Sequence, residues 1–371
     1  MWVSELELHH FRNHSHTGLS LTPGVSVFVG SNGQGKTNLV EAIGYLAYQS
    51  SHRVSQDRAL VQEGHDKATV RARVNHEDRH ADVACEVSLR GANRAKLGGN
   101  PVAMGDLSGW VKAVLFTPED LSLIRGEPAG RRRYLDTTMI SQRPATAAIV
   151  ADYERVVKQR NALLKSHRGR VTPELQSTLR GWDDAFVDLA GAYTTARLQL
   201  LRQLEPAVMD AYSTIAADNT VSLSLDSAAV DEDGVLSDDL HGHYQSQLVS
   251  NAKAEWERGM TLVGPHRDDL SLTLNGLPSR THSSQGEAWS LALGLRMAQA
   301  VLYRADSSAG DPVMILDDVF AELDRSRRGT LERLVADYEQ VLVTAAVWED
   351  VPESFSGRVF DVVAGEVRVR D

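Results

Sequence analysis

Cysteine is nearly missing from this chain: Cys85 is the single one in 371 residues, which excludes an intrachain disulfide framework and a cysteine zinc cluster. Long apolar runs are missing as well, and no stretch reaches the roughly 18 apolar residues that would suggest a membrane-crossing helix. The start, Met1-Trp2-Val3-Ser4-Glu5-Leu6-Glu7-Leu8, alternates as a strand does and has no basic segment followed by an apolar one. No export signal is read there, no membrane is expected as a partner, and a cytoplasmic protein is expected. Nor is there an excess of positive charge. With 39 Lys and Arg against 50 Asp and Glu, the formal net charge is −11, which argues against a general polyanion binder. A local basic surface remains possible, because charges more than about 8 Å apart are largely screened at physiological salt. What is present, 42% hydrophobic residues, suffices for one large or two modest globular domains.

The most informative segment is Gly30-Ser31-Asn32-Gly33-Gln34-Gly35-Lys36-Thr37, a complete G-x-x-x-x-G-K-[ST] phosphate-binding loop. It lies between an apolar run at Val25 to Val29 and a helical pattern from Asn38 to Tyr48, the strand-loop-helix context that such a loop needs. The glycines let backbone N–H groups approach phosphates, and the helix points its N-terminus at them. Lys36 can reach the β and γ oxygens of ATP and Thr37 can hold Mg2+. Val313-Met314-Ile315-Leu316-Asp317-Asp318 is an apolar strand ending in two carboxylates, the form of a Walker B element. Asp317 is assigned to the magnesium, and Asp318 to orienting or deprotonating the attacking water. Alone, two such acids also suit a solvated turn. The two elements are separated by most of the chain, so a large insertion splits the ATPase core.

Ser283-Ser284-Gln285-Gly286-Glu287 opens a helix running through Leu291, Leu295, Ala298 and Leu302. It reads as a capping box, with Ser284 at the N-cap and Glu287 three residues on, and also as an anion-facing helix start. Both can hold at once. The segment looks like an ABC-type signature, in which Ser284 and Gly286 would bind the γ-phosphate of ATP held by a second subunit. Asp317 to Asp324 matches Walker B plus D-loop spacing, with Leu323-Asp324 in the D-loop place.

Taken together the chain resembles the bacterial RecF recombination-repair proteins, relatives of the SMC ATPase heads, along its whole length. The resemblance is carried by His10-Phe11-Arg12-Asn13, Gly30 to Asn38, Ser51-His52-Arg53, Phe116-Thr117-Pro118-Glu119-Asp120-Leu121, Arg131-Arg132-Arg133-Tyr134-Leu135-Asp136, Gly264-Pro265-His266-Arg267-Asp268-Asp269 and Leu316 to Asp324. It implies an ATP-dependent homodimer that binds single-stranded or gapped DNA in repair and replication-fork maintenance, linked to the SOS response, with recombination mediator proteins as partners. It also places Arg53 where SMC-type heads keep an arginine coupling DNA to ATP; from position alone, Arg12 and Asn13 are candidates to border base or ribose. The chain departs from the pattern at Glu287 and Trp289, where a glutamine and an arginine are usual. After Gln340-Val341-Leu342-Val343 it has Thr344 and no switch histidine. Slow, DNA-stimulated hydrolysis acting as a timer is therefore expected.

DNA candidates come from a basic run. From Arg155 to Arg170 there are Arg155, Lys158, Arg160, Lys165, Arg168 and Arg170 and no acid, whereas Asp226, Asp231, Glu232, Asp233, Asp238 and Asp239 gather elsewhere. Lys158, Arg160, Lys165 and Arg168 are taken as DNA or coupling candidates; a solvated helix face is the alternative. Arg131, Arg132 and Arg133 suit internal pairing with Asp136 or contact with nucleotide. The run His266 to Asp269 lacks metal-ligand spacing.

Strands are expected at Val3 to Leu8, Val25 to Val29, Ala68 to Val74, Asp82 to Leu89 and Val111 to Phe116. From about Pro144 the pattern turns helical, and Leu175, Leu179, Trp182, Phe186, Leu189, Tyr193, Ala196 and Leu200 form one apolar stripe that Glu205-Pro206 is expected to end. A few turns cannot make a long coiled coil, so this is read as a compact lobe. The fold class is α/β: an ABC/SMC-type ATPase head with a split P-loop core (lobe I, residues 1–140 and 261–371) and an inserted, mainly helical lobe II (141–260). An ABC-type ATPase subunit acting on a non-DNA partner is the alternative reading; a P-loop kinase and a non-hydrolysing clamp are further ones.

Overall fold

The structure, a computed structural model, describes residues 1–166, 172–216, 219–230, 236–305, 310–355 and 357–370, without the side chain of Glu322. The chain opens with β1 (Trp2–Phe11), β2 (His14–Ser20), β3 (Gly24–Val29) and the helix α1 (Lys36–Tyr48). Then come β4 (Lys67–His76), β5 (Arg79–Ser88), β6 (Arg94–Leu97), β7 (Asn100–Val102) and β8 (Ala113–Phe116). Helices follow: α2 (Leu121–Arg125), α3 (Pro128–Gln142), α4 (Thr146–Ser166) and α5 (Pro173–Ile215), then β9 (Val221–Asp226) and α6 (Leu240–Arg258). The remainder holds β10 (Asp269–Leu274), β11 (Leu277–Pro278), α7 (Ser279–His282), α8 (Gln285–Ala305), β12 (Val313–Asp317), α9 (Val319–Glu322), α10 (Arg325–Val335), β13 (Gln340–Ala345), β14 (Arg358–Val363) and β15 (Glu366–Val369).

Two compact units result. The first comprises residues 1–121, 210–218 and 289–371, and the second 122–209 and 219–288. The division therefore departs from 140 and 260. Helix α3 and strand β10, assigned above to the flanking halves, pack within the second unit, where Arg131 on α3 pairs with Asp269 at 2.7 Å.

In the first unit, the sheet in the order β15-β14-β3-β13-β12-β8 is parallel except for its terminal hairpin. Its central strands are apolar on both faces, and β12 and β13 are buried at every position, as expected where a parallel sheet is covered on both sides. A second, antiparallel sheet runs β2-β1-β4-β5-β6-β7. Its strands alternate instead, with Leu6, Leu8, Val70, Val83 and Cys85 turned to the core and charged residues on the other face. The lone cysteine is thus a core residue, as its place in an alternating strand suggests. Strands β2, β6 and β7 escaped the pattern reading: β2 (HSHTGLS) is rich in polar residues, and β6 and β7 are four and three residues long. The turn between the latter two is made by Gly98 and Gly99, both at positive φ.

The second unit is mainly helical around the three-stranded sheet β11-β10-β9. Asn275 and Gly276 turn β10 into β11 with φ of 52° and 76°, the two left-handed residues of a tight hairpin. Helix α5 corrects an expectation: it runs 43 residues, through Pro206, to Ile215. Proline costs an interior helix one hydrogen bond and a clash, but Val208 and Tyr212 beyond it are fully buried, and burying such side chains offsets roughly 1.5–3 kcal/mol each.

Candidate functional site

The phosphate-binding loop follows β3 directly, and neighbours leave no room for a side chain at Gly30 and Gly35. A Cβ on Gly30 would run into the Val362 carbonyl, and one on Gly35 would lie 2.8 Å from the Asn13 side chain and 2.9 Å from His14 Nε2. Gly33 and Gly35 take φ of 82° and 114°, which glycine adopts without strain. Gly35 is the N-cap of α1 and supplies no side-chain cap, so first-turn N–H groups stay available to an anion. Around this loop the β1–β2 turn makes a brace: Asn13 Nδ2 donates to the Gln34 carbonyl at 3.0 Å, and Asn13 Oδ1 accepts from Asn38 Nδ2 at 2.7 Å. The β14–β15 turn braces the other side, where the N–H groups of Ala364 and Gly365 donate to Gln34 Oε1 and O at 2.7 and 2.9 Å. Lys36 is buried, its Nζ 3.4 Å from the Ser31 carbonyl.

The two motifs meet. Thr37 Oγ1, 280 positions from Asp317 in sequence, donates to Asp317 Oδ1 at 3.0 Å. The meeting follows from sheet order, since β3 and β12 both pair with β13. Asp317 is 4% exposed. Burial pushes its carboxyl up to about 6, with the Asp318 charge adding to the rise and hydrogen bonds from Thr344 and Thr37 opposing it. Buried oxygen donors satisfied by neutral hydroxyls fit a hard cation such as Mg2+. Asp318 takes a left-handed conformation, φ 51°. Its N–H donates to Thr344 Oγ1 at 2.9 Å, while that hydroxyl donates to Asp317 Oδ1 at 2.6 Å. Thr344 therefore fixes both acids. Thr344 lies inside β13, one residue before its end, where the sequence pattern marks only the lack of a histidine; the signal for its role is a hydroxyl residue near the end of the strand beside Walker B.

A second residue that the motif reading passed over is Glu41. It lies on α1, 0% exposed, and receives Arg12 Nε and Nη2 at 3.0 and 2.7 Å, the Ser51 hydroxyl, and Arg53 at 3.4 Å. Burial raises its pKa, but the hydrogen bonds of Arg12 and Ser51 and both arginine charges outweigh that and hold it below the ordinary carboxylate range. Arg53 also donates to Asn38 Oδ1 at 2.8 Å, and its side chain is 39% exposed. Arg53 is thus connected by hydrogen bonds, through Asn38 and Asn13, to the Gln34 carbonyl of the loop.

The signature segment belongs to the second unit. Its capping box is present: Glu287 accepts from the Ser284 N–H at 2.7 Å, and the Glu287 N–H donates to Ser284 Oγ at 3.3 Å. Ser284 and Gln285 are exposed and Gly286 is half-buried. Asp324 caps α10, accepting from the Arg327 N–H at 3.0 Å.

The basic run divides. Arg160 is 1% exposed and is spent inside the fold: it reaches Asp183 at 2.8 Å, Glu255 at 3.1 Å and Thr261 Oγ1 at 2.7 Å, over the ring of Phe186. It cannot face DNA, and its nomination is corrected. Lys158 and Lys165 on α4 are exposed; Arg168 and Arg170 lie outside the described residues, as do Asp231, Glu232 and Asp233. Arg131 pairs with Asp269 and Arg132 donates to the Asp268 carbonyl at 2.8 Å. Asp136 pairs with Arg197, at 2.9 Å, and accepts a hydrogen bond from Tyr193.

The family model described as the RecF/RecN/SMC N terminal domain matches residues 2–359. The DNA replication and repair protein RecF of Frankia alni is 46% identical over 377 residues, covering 99% of both chains. That of Clavibacter michiganensis subsp. michiganensis is 43% identical over 386 residues, 99% of this chain and 96% of its own. The chain belongs to the RecF family. A solved structure described as the recombination mediator protein RecF-ATPrS in the RecFOR pathway superposes with a TM-score of 0.90 at 26% identity, over 100% of this chain and 98% of that one. An Smc head bound to the C-winged helix domain of ScpA, at 15% identity and TM-score 0.55, shares the fold alone. The chain thus has the ABC/SMC-type α/β ATPase-head fold. Among its described residues no helix is long and apolar enough to cross a membrane.

Proposed function

We propose that this protein binds and slowly hydrolyses ATP to control its hold on DNA during recombinational repair and the maintenance of gapped or stalled replication forks, in the cytoplasm and linked to the SOS response. The observation that carries the reading is the contact between Thr37 and Asp317, which brings a phosphate-binding loop to a buried carboxylate, as a nucleotide-metal site built from two distant motifs requires. The RecF relatives, named for DNA replication and repair, and the structures described with ATP and with ATPrS support its direction.

In this mechanism ATP lies on the loop from Gly30 to Thr37, its phosphates on the first-turn N–H groups of α1, with Lys36 as the cationic partner. Thr37 and Asp317 would hold Mg2+, which when bound supplies positive charge to the phosphate oxygens. Asp318, held by Thr344, orients or accepts a proton from the attacking water. Ser284 and Gly286 of a second copy complete the site over the γ-phosphate, so the closed homodimer forms with ATP and opens after hydrolysis. DNA is held by that closed state, with Lys158 and Lys165 as surface candidates and Arg53 as the coupling residue. Mediator proteins of recombination are its partners in this reading.

Sedimentation with and without ATP and magnesium tests it. ATP-driven dimers are expected for the wild type and Asp318→Asn, and monomers for Lys36→Met and Ser284→Arg. Monomers throughout, with ATP bound normally, would reduce the signature to a capped helix. DNA affinity equal with and without ATP would sink the coupling.

A further inference from the structure

Away from the nucleotide site, the solvent face of the β1–β2 hairpin gathers Glu7, His9 and His16, whose ligand atoms all lie within 4.8 Å of one another. The gathering follows from strand geometry. Glu7 and His9 are two apart on β1 and so share a face, and His16 is the direct cross-strand partner of His9. The position opposite Glu7 is Gly18, where even a Cβ would meet nothing within 4 Å, so space is open beside the carboxylate. Glu7 Oε1 is 2.8 Å from His9 Nε2, the two imidazoles have centroids 4.4 Å apart, and Arg71 holds the other carboxylate oxygen, Oε2, at 3.3 Å. Glu7 is held below the ordinary carboxylate range, chiefly by the hydrogen bond from His9. Among the described residues no other group of three His, Cys, Asp or Glu side chains meets this spacing.

We propose that Glu7, His9 and His16 form a binding site for a divalent transition-metal ion of the zinc class, with water in the fourth position. Two imidazoles and a carboxylate are ligands that zinc accepts in a tetrahedral arrangement with bonds of about 2.0–2.2 Å. Small side-chain rotations bring three donors already within 4.8 Å to that distance, and Arg71 on Oε2 orients the carboxylate from behind. The ion would staple β1 to β2 one step from the turn whose Asn13 and His14 reach the Gln34 and Gly35 carbonyls of the phosphate-binding loop.

The test is calorimetric titration of ZnCl2 into the full chain with Mg2+ in large excess, which keeps Thr37 and Asp317 out of the measurement. One ion per chain is expected. His9→Ala and His16→Gln each should weaken it by roughly tenfold or more, with the fold checked by circular dichroism, while His65→Ala, which alters the stacked His10–His65 pair nearby, should leave it unchanged. The proposal is overturned if the wild type takes up no zinc, if the His9 and His16 variants bind as the wild type does, or if His65→Ala removes the binding.

Discussion

Two buried charges, Asp317 in the first unit and Arg160 in the second, are satisfied in opposite ways. In the first, Asp317 is almost fully buried and its hydrogen bonds come from the hydroxyls of Thr37 and Thr344. In the second, the buried charges are arginines matched to acids: Arg160 with Asp183 and Glu255, and Arg197 with Asp136. A paired cluster is complete within the fold, and removing one member strands the other. A carboxylate satisfied only by hydroxyls keeps capacity for a cation that the chain does not supply. Burial of charge therefore marks architecture at Arg160, as at the Arg12–Glu41 pair of the first unit, and a site at Asp317, and partners, more than depth, tell the two apart.

The largest effect that would break this contrast is in stability. Arg160→Ala leaves Asp183 and Glu255 without their guanidinium and should cost about 3–5 kcal/mol, read as a lowered denaturation midpoint in urea. Asp317→Asn should not lower stability, because it removes a buried charge that has no cationic partner among the described residues, yet it should cut ATP hydrolysis by roughly 100-fold or more. If both variants unfold alike, the distinction fails.

Asp268 sharpens the contrast because it departs from the rule in its own unit. Its Oδ2 accepts no hydrogen bond among the described residues, Arg197 stands 4.0 Å away, and burial pushes the carboxyl up to about 6, with a hydrogen bond from Ser227 and the charges of Arg197 and Arg132 pulling down and Asp226 pushing up. Folding then favours the protonated acid. Below about pH 4 the folded and unfolded forms are both protonated, so nothing is lost. Between about 4 and 6 the unfolded chain ionises first and stability falls, by about 3 kcal/mol once pH exceeds the folded pKa. Asp268→Asn should remove this component, so denaturant melts at pH 4 and pH 7 should differ less in the variant than in the wild type. An equal difference in both would place the pH dependence elsewhere.

The sequence disclosed the parts of the site that are local in the chain. The loop from Gly30 to Thr37, the apolar strand before Asp317 and the cap at Ser284 each carry their chemistry within a few residues, and the fold class followed from their order. What stayed hidden depends on distant partners. Arg160 read as one of a basic run because Thr261 and Glu255, 101 and 95 positions on, cannot be placed beside it from spacing. Glu41 read as an ordinary helix residue because Arg12 and Arg53 reach it from separate segments. Pro206 looked like a helix end because the burial of Val208 and Tyr212 that carries α5 past it is a tertiary fact.

The smallest effect concerns Thr344, where the site in the first unit depends on one neutral hydroxyl. That group gives its proton to Asp317 and takes the N–H of Asp318, whose left-handed backbone it helps to hold. Thr344→Val keeps the shape and removes both bonds, each worth about 0.5–1.5 kcal/mol. The carboxylates remain, so ATP should still bind, but the attacking water loses its alignment and kcat should fall roughly tenfold with little change in KM. Thr344→Ser restores the hydroxyl and should restore most of the rate. A packing role alone would reverse that ranking: valine, which keeps the methyl group and the volume, would then be the harmless change and serine the damaging one.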